Sequence, residues 1–513
     1  MNCFWLLDIP ASIGPDHVAV VDGPRRWTYA ELLKDVRRWA GVLTSCAVGP
    51  GDRVAFVDVN RAEAVSLLFA SALVGATFVP LNFRSRPEEL ADLLDRAAVR
   101  TVAGGARYLP GLRMLGASRP HLTVLDLDRP TVPETAAPPA APPDADEAAP
   151  AVLLYTSGTT RRPKAVVLTH GDLTAYVQNQ VEPFDGTDRG AAVTAVPLYH
   201  VAGLTGVLSS VYGGRRTVLL PQFEAGTWLR TVAAERCTFA FLVPTMLKQV
   251  LDHPEFDRTD LGSLDTLAYG AAPMPAPVLE EALRRFPPHV GFVGAFGMTE
   301  TTSTVTVLTP EDHRPQDDSP AETARWRARL RSVGRPLADV EVQIRGPDGA
   351  VLPPGAVGRV ALRTPRLMRG YFAEGGPERP LDAEGWLVSD DLGYLDAEGY
   401  LFLLGRADDV IIRGGENIAP AEVEDVLSRH PAVAEVAVVG QPSLLWGQEV
   451  LAVVVPRDPE RPPTLEDLQA FCRDRLAGFK KPTALRIVTE LPRTATGKVL
   501  RRRLRDEAEA GTP

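Results

Sequence analysis

Apolar and polar positions along the chain follow two recurring patterns, one at helical spacing and one in short uninterrupted runs. In WTYAELLKDVRRWAGVL, the residues Leu32, Leu33, Val36, Trp39, Ala40 and Leu43 return at helical intervals. Thr28 and Glu31 stand three apart just ahead of them, the spacing of a capping box, so a helix opening at Thr28 is predicted. The run RVAFVDV, Arg53 to Val59, follows Gly51-Asp52 and reads as a buried strand. Ala64 to Leu81 is the longest apolar stretch, long enough to suggest a membrane span. Ser66, Ser71, Gly75, Thr77 and Pro80 interrupt it, which predicts a buried helix leading into a strand instead. Helical patterns and short apolar runs continue to alternate, predicting an α/β fold with helices packed on mainly parallel sheets.

A Pro/Ala/Asp-rich tract from about residue 133 to 150 has no periodicity and reads as an exposed linker between two α/β regions, the second opened by AVLLYTSGTT. After Asp409 a smaller unit is expected: a helix following Ala419-Pro420, strands in VAEVAVVG and EVLAVVVP, and a helical tail. The tail carries Arg501, Arg502, Arg503 and Arg505 among leucines and acids, the pattern of a solvated helix.

With 513 residues the chain is too long for one ordinary domain. A formal net charge of −10 argues against a nucleic-acid binder, which needs a concentrated basic face. Cys3, Cys46, Cys237 and Cys472 form no CxxC pair, so neither a disulfide framework nor a zinc site is expected. MNCFWLLDIP has no basic residue ahead of its short apolar run and carries Asp8 within it, unlike a secretory signal, so a cytoplasmic protein is expected. Lysine occurs only at positions 34, 164, 248, 480, 481 and 498 among 55 basic residues, as in a bacterial chain encoded by GC-rich DNA. Where Lys is kept, its identity can matter.

The strongest chemical signal is YTSGTTRRPKAVVLTH, Tyr155 to His170. Thr156, Ser157, Thr159 and Thr160 offer hydroxyls, Gly158 lets backbone N–H groups turn to an anion, and Lys164 adds a point charge for phosphate oxygens. The spacing is not that of a P-loop NTPase. It resembles the phosphate-binding loop of the adenylate-forming superfamily of acyl-CoA synthetases, peptide-synthetase adenylation domains and luciferases.

That resemblance extends over nearly the whole chain and implies an acyl-CoA ligase using ATP, Mg²⁺ and coenzyme A (CoA). PLYHVAGL implies His200 beside the acyl and pantetheine channel. YGAAP implies adenine contacts from Gly270, Ala271 and Ala272. GAFGMTET implies Phe296 and Gly297 at adenine, Thr299 at phosphate and Glu300 as the Mg²⁺ ligand. Asp391, assisted by Arg406, is implied at the ribose hydroxyls. The resemblance also implies a large domain, 1–407, and a small mobile α+β domain, 408–513, hinged at Asp408. Arg413, Gly414 and Gly415 would face the pantetheine arm, and Lys498 would bridge the acyl carboxylate and the nucleotide.

Departures concentrate in the phosphate loop, where Arg161 and Ala165 stand at positions usually held by glycine; elsewhere Ser389-Asp390-Asp391 replaces the usual Thr-Gly-Asp. A long cation is a poor substitute where close approach of phosphate is needed. Two readings therefore stand beside the full ligase. In one the chain takes a preformed acyl-adenylate from a separate adenylating enzyme and completes only the transfer to CoA. In the other it binds acyl nucleotides without catalysis. Amino-acid selection is disfavoured because PLYHVAGL lacks an Asp to pair a substrate ammonium. Small Ala271 and Ala272 leave the acid open among fatty, aryl and polycyclic types.

Overall fold

A computed structural model of the chain describes residues 1–129, 138–143, 146–156, 163–373, 380–494 and 497–510. Among these residues the strands form four sheets. In the largest, the strands Val18–Asp22, Arg216–Leu219, Ala191–Thr194, Phe239–Leu242, Thr266–Gly270 and Gly291–Met298 run parallel to one another, and antiparallel strands close both edges. The second sheet has a parallel centre of Thr77–Pro80, Arg53–Phe56, Thr101–Gly104 and Thr123–Asp126.

The helix Ala62–Leu73 is buried along its entire length. It belongs to a core that takes Val20 from the first sheet and Val54, Phe56, Phe78 and Val152 from the second, so this helix layer lies between the two sheets. A helix apolar all round is stable only in such a position. Its buried Glu63 is held by Arg25 and by Arg61 at 2.8 Å. The neighbouring helix Tyr29–Ser45 opens on the expected capping box: Thr28 Oγ1 accepts from Glu31 N–H at 3.2 Å, and Glu31 accepts from Thr28 N–H at 2.9 Å.

The Pro/Ala-rich tract does not divide two sheets. The strand after it, Pro150–Thr156, pairs in parallel with Thr77–Pro80, so the tract joins strands of one sheet. At its described end the Glu147 and Ala149 carbonyls accept from Gly171 and His170 N–H groups at 2.8 and 3.1 Å, while Asp146, Glu147 and Pro150 are exposed, as expected of a linker. Composition reports that such a segment forms no helix or strand; it carries no information about which strands pair on either side.

A four-stranded antiparallel sheet, Glu341–Arg345, Gly358–Arg363, Leu387–Leu395 and Leu401–Arg406, follows. From Ile411 the chain builds a separate sheet with its own core of Ile411, Ile418, Val423, Leu427, Val438 and Val450. The tail helix Arg501–Ala510 corrects the expectation of a merely solvated element. Leu504 is buried against the long hairpin of this sheet, Arg501 pairs with Glu424 at 2.6 Å, and Arg505 pairs with Asp409 at 2.9 Å and donates to the Asp408 carbonyl. Arg502 and Arg503 remain exposed. Among the described residues no helix is long and apolar enough to cross a membrane.

Two buried histidines make stability pH-dependent. His170 accepts from Cys3 N–H at 3.2 Å; His313 takes the Tyr269 hydroxyl at 2.8 Å on one nitrogen and faces the Thr309 carbonyl at 2.7 Å with the other. Burial pushes both down to about 4. An unfolded histidine titrates at about 6.5, so between about 6.5 and 4 the unfolded chain binds more protons and stability falls with falling pH. The expected result is a thermal midpoint that declines from pH 7 to pH 4.5, less steeply in His313→Gln. A midpoint level across that window in the wild type would contradict the assignment.

Candidate active site

The parallel strands Thr266–Gly270 and Gly291–Met298 are adjacent and end together, with Gly270 paired to Ala295. Ligands of open α/β sheets collect outside the carboxyl ends of such strands. Two of the glycines here are required sterically. A Cβ on Gly270 would stand 2.2 Å from the Ala295 carbonyl oxygen, and one on Gly297 would stand 1.8 Å from that of Ser303. Ala271, the next residue, has φ of +66°, a left-handed conformation that is strained for alanine and turns the chain away from the strand. Phe296 packs partly against the core beside Val305 and Val360.

Thr299–Thr301 forms a single 3₁₀ turn after Met298, followed by Thr302 and Ser303 at φ +53° and +88°. Arg366, fully buried, braces this strained turn. Its guanidinium donates to the Thr301 and Thr304 carbonyls at 2.9 and 2.8 Å and pairs with Asp339 at 2.7 Å, while its own carbonyl accepts from Thr302 Oγ1 at 2.7 Å. Met368 N–H donates to the Glu300 carbonyl at 2.8 Å. The backbone of Glu300 is thus fixed from two sides. Its carboxylate accepts from the Tyr371 hydroxyl at 3.0 Å, and among the described residues no cation is in ion-pair contact with it. A carboxylate so placed has a free oxygen for a hard cation. The described residues contain no cluster of three or more His, Cys, Asp or Glu that could hold a metal. That pattern fits Mg²⁺, which uses one or two carboxylates together with phosphate oxygens and water.

Thr156 and Lys164 face each other across the strands Pro150–Thr156 and Lys164–Thr169, with Thr156 Oγ1 3.5 Å from the Lys164 carbonyl oxygen. The Lys164 ammonium lies 4.6 Å from the centre of the Tyr371 ring. Ser157, Gly158, Thr159, Thr160 and Arg161 lie outside the described residues. Ala165 is described and answers half of the glycine question. It is a buried ladder residue paired with Tyr155, its carbonyl accepts from Phe372 N–H at 2.8 Å, and its φ is not positive. Nothing at that position demands glycine.

Asp391 and Arg406 are register partners in adjacent antiparallel strands, 3.9 Å apart at the closest side-chain atoms. Arg406 also reaches Asp390 at 3.5 Å, and Arg359 stands 3.7 Å from the same carboxylate. The acidic residue at the usual glycine position therefore shares Arg406 with Asp391. Burial raises the Asp391 pKa, against the lowering fields of Arg406 and Lys498; burial lowers that of Lys498, against the raising fields of Asp391 and Glu300. Lys498 remains exposed to the solvent of the cleft, yet enough protein surrounds its ammonium to disfavour the isolated charge. The charges of Lys498 and Asp391 support each other.

His200 precedes the helix Val201–Tyr212 and packs at a tilt against Tyr199, with ring centres 4.4 Å apart and planes at 55°. Burial, with the Lys498 charge second, pushes its pKa down to about 3, so the ring is neutral at physiological pH. Its Nε2 and the Tyr199 hydroxyl are buried and have no hydrogen-bond partner among the described residues.

The structure thus gathers Glu300, Asp391 and Arg406 around Lys498, supplied by the small unit, and brings His200 within the field of that lysine. It does not bring Arg413, Gly414 and Gly415 there. Gly414 and Gly415, at φ +59° and +88°, make the two-residue turn of the hairpin Ile411–Arg413 and Glu416–Ile418. Gly414 N–H donates to the Trp446 carbonyl at 2.8 Å, and Arg413 donates to the Phe479 carbonyl at 2.8 Å. Asp408 is exposed in the short turn Ala407–Asp409 between the two units. Tyr371 and Arg366 went unrecognised in the sequence. The only local signal is the segment PRLMRGYF, where an arginine and a Gly-Tyr pair flank an apolar centre.

Comparison with known proteins agrees with this geometry. Residues 9–372 match the AMP-binding enzyme family and residues 422–498 the AMP-binding enzyme C-terminal domain. A feruloyl-CoA synthase from Amycolatopsis sp is 37% identical over 499 residues, covering 96% of each chain. The structure of o-succinylbenzoate CoA synthetase from Bacillus subtilis in complex with its acyl-adenylate intermediate superposes with a TM-score of 0.83 at 31% identity, covering 97% of each chain. A second structure of that enzyme, with ATP and magnesium ion, gives 0.82 at 31% identity, covering 97% of this chain and 98% of that one. The chain belongs to the AMP-binding, adenylate-forming enzyme family, in its acyl-CoA ligase branch.

Proposed function

We infer that the protein joins a carboxylic acid to CoA through an acyl-adenylate, using ATP. The observation that carries this is the meeting of Lys498, from the small unit, with Glu300 and Asp391 of the large one. In the first step the acid's carboxylate oxygen attacks the α-phosphorus of ATP and pyrophosphate leaves. Two anions must approach each other, and Lys498 offsets that repulsion from a partly desolvated position where its charge counts most. Thr299 and the Thr156–Lys164 segment hold phosphate oxygens. Asp391, kept ionised by Lys498 and Arg406, accepts from the ribose hydroxyls, while Gly270, Ala271, Ala272, Phe296 and Gly297 bound the adenine. Glu300 would hold Mg²⁺, which neutralises triphosphate charge when bound.

In the second step the thiol of CoA attacks the adenylate carbonyl and AMP leaves. We assign the rearrangement between steps to rotation of residues 408–513 about Asp408, which withdraws Lys498 and brings the Arg413–Gly415 turn to the pantetheine arm. His200, neutral and with no partner for Nε2 among the described residues, lines the route of acyl group and thiol. We propose that the reaction runs in the cytoplasm, where ATP and CoA are supplied.

The relatives are named as ligases of CoA with feruloyl and 2-succinylbenzoate groups among others, and they do not favour the transfer-only or non-catalytic readings. Aryl acids come first in a test of identity. Incubation with ATP, Mg²⁺, CoA and a panel of aryl, fatty and polycyclic acids, read by mass spectrometry, is expected to yield one acyl-CoA with stoichiometric AMP. Acyl-CoA accompanied by ADP, or no thioester from any acid or its synthetic adenylate, would sink the reading.

A further inference from the structure

Tyr371 stands between two opposite charges that both belong to the phosphate end of the cleft. It lies on the short strand Gly370–Tyr371, antiparallel to Lys164–Thr169, with Tyr371 paired to Val166. This fixes its ring beside Lys164, whose ammonium is 4.6 Å from the ring centre, while its hydroxyl donates to Glu300 Oε1 at 3.0 Å. Lys164 and Glu300 form no ion pair with each other among the described contacts. The backbone of Glu300 cannot move aside, being tied through its own carbonyl to Met368 and through the Thr301 carbonyl to Arg366. The carboxylate's remaining freedom is side-chain rotation, and Tyr371 is the group that limits it.

We propose that Tyr371 is a positioning residue that keeps Lys164 and Glu300 apart, its ring face occupying the cation and its hydroxyl holding one carboxylate oxygen so that the other stays open for a divalent metal. The physical reason is competition. A lysine free to pair directly with Glu300 would neutralise the carboxylate and withdraw charge from both the metal and the phosphate. A cation over an aromatic face keeps its full charge and several open directions for an incoming phosphate. The hydroxyl leaves the carboxylate anionic, because the phenol donates a hydrogen bond without carrying a charge. This inference rests on the ATP-dependent reading above and adds to it a residue that acts through Lys164 and Glu300.

The test is calorimetric titration of the full-length protein with ATP, with and without Mg²⁺ and in the absence of acid and CoA, so that no turnover occurs. The readout is the ratio of the two affinities. Tyr371→Phe keeps the ring and loses the hydroxyl, and is expected to lower the ratio about threefold. Tyr371→Leu frees Lys164 to pair with Glu300 and should lower it tenfold or more, as loss of a charge-assisted contact implies. Adding Lys164→Met to Tyr371→Leu removes the competing cation and should restore the ratio, although overall ATP affinity falls. Thermal midpoints of all variants separate this from unfolding. An unchanged ratio in Tyr371→Leu, or no restoration in the double variant, overturns the proposal while leaving the function intact. Wild-type protein whose ATP affinity ignores Mg²⁺ overturns the ATP-dependent reading and the proposal with it.

Discussion

Lys498→Met is expected to slow acyl-adenylate formation by about 10²–10³-fold, the cost of removing one preorganised donor to developing charge, while CoA transfer from a supplied acyl-adenylate stays within about threefold of wild type. The asymmetry follows from position. Lys498 reaches the large unit from the small one, in the fields of Asp391, Arg406 and Glu300. The methionine keeps most of the volume and removes only the charge, so the small unit still docks. The second step has no meeting of anions at phosphorus for the lysine to offset. The loss should also deepen below neutral pH. Burial already raises the Asp391 pKa, and without the lowering field of Lys498 that carboxylate protonates at a still higher pH. Single-turnover measurement of each half-reaction checks the prediction. Equal damage to both steps would show that Lys498 serves the fold or both configurations alike.

Gly497→Ala is expected to produce the same asymmetry for a steric reason. Gly497 has φ of +78°, and a Cβ built on it would stand 2.4 Å from Thr245 Oγ1 in the large unit. The turn around it is closely specified: Gly497 N–H donates to the Thr494 carbonyl at 2.9 Å, and Thr494 N–H donates to the Lys498 carbonyl at 2.7 Å. Alanine adds about 1–2 kcal/mol of left-handed backbone strain and a clash that lifts the Lys498 turn off the helix Pro244–Asp252. We expect adenylation to fall by at least about fivefold, the equivalent of the lower end of that strain alone, with transfer from acyl-adenylate unaffected. Thr245→Ala in the same chain removes the offending oxygen and leaves only ordinary contact at 3.5 Å from the Thr245 Cβ. Adenylation should then recover in part, short of wild type by the backbone strain. No recovery would mean that the turn fails through conformation alone and that the two units do not meet at this point.

Local features were legible in the sequence wherever the deciding physics was local. The Thr28–Glu31 capping box and the apolar helix Ala62–Leu73 each follow from a few neighbouring residues. The site was legible by resemblance because its motifs lie at strand ends and turns, where residue type is constrained by the backbone. What escaped was long-range. Strand pairing across the Pro/Ala-rich tract depends on contacts far apart in the chain, which composition does not encode. Arg366 carries no signal until the half-buried Asp339 and two carbonyls are seen around it. Tyr371 carries no signal until Lys164 and Glu300 are found on either side of it. The tail arginines read as solvated because Glu424 and Asp409, their partners, belong to segments dozens of residues away. Asp390 was visible as a departure, but its claim on Arg406 needed the register of two strands.

The central claim is that one chain both makes and consumes the adenylate, and Arg161 in the phosphate loop is the residue that bears on the first half most directly. Exchange of labelled pyrophosphate into ATP isolates that half, since it requires reversible adenylation and no CoA. With the acid identified by the panel, wild-type protein is predicted to catalyse exchange at a rate no slower than its overall acyl-CoA synthesis, and to lose exchange in Lys498→Met. Absence of exchange in a preparation that converts the synthetic acyl-adenylate and CoA to thioester would contradict the account and leave the protein with the transfer step alone.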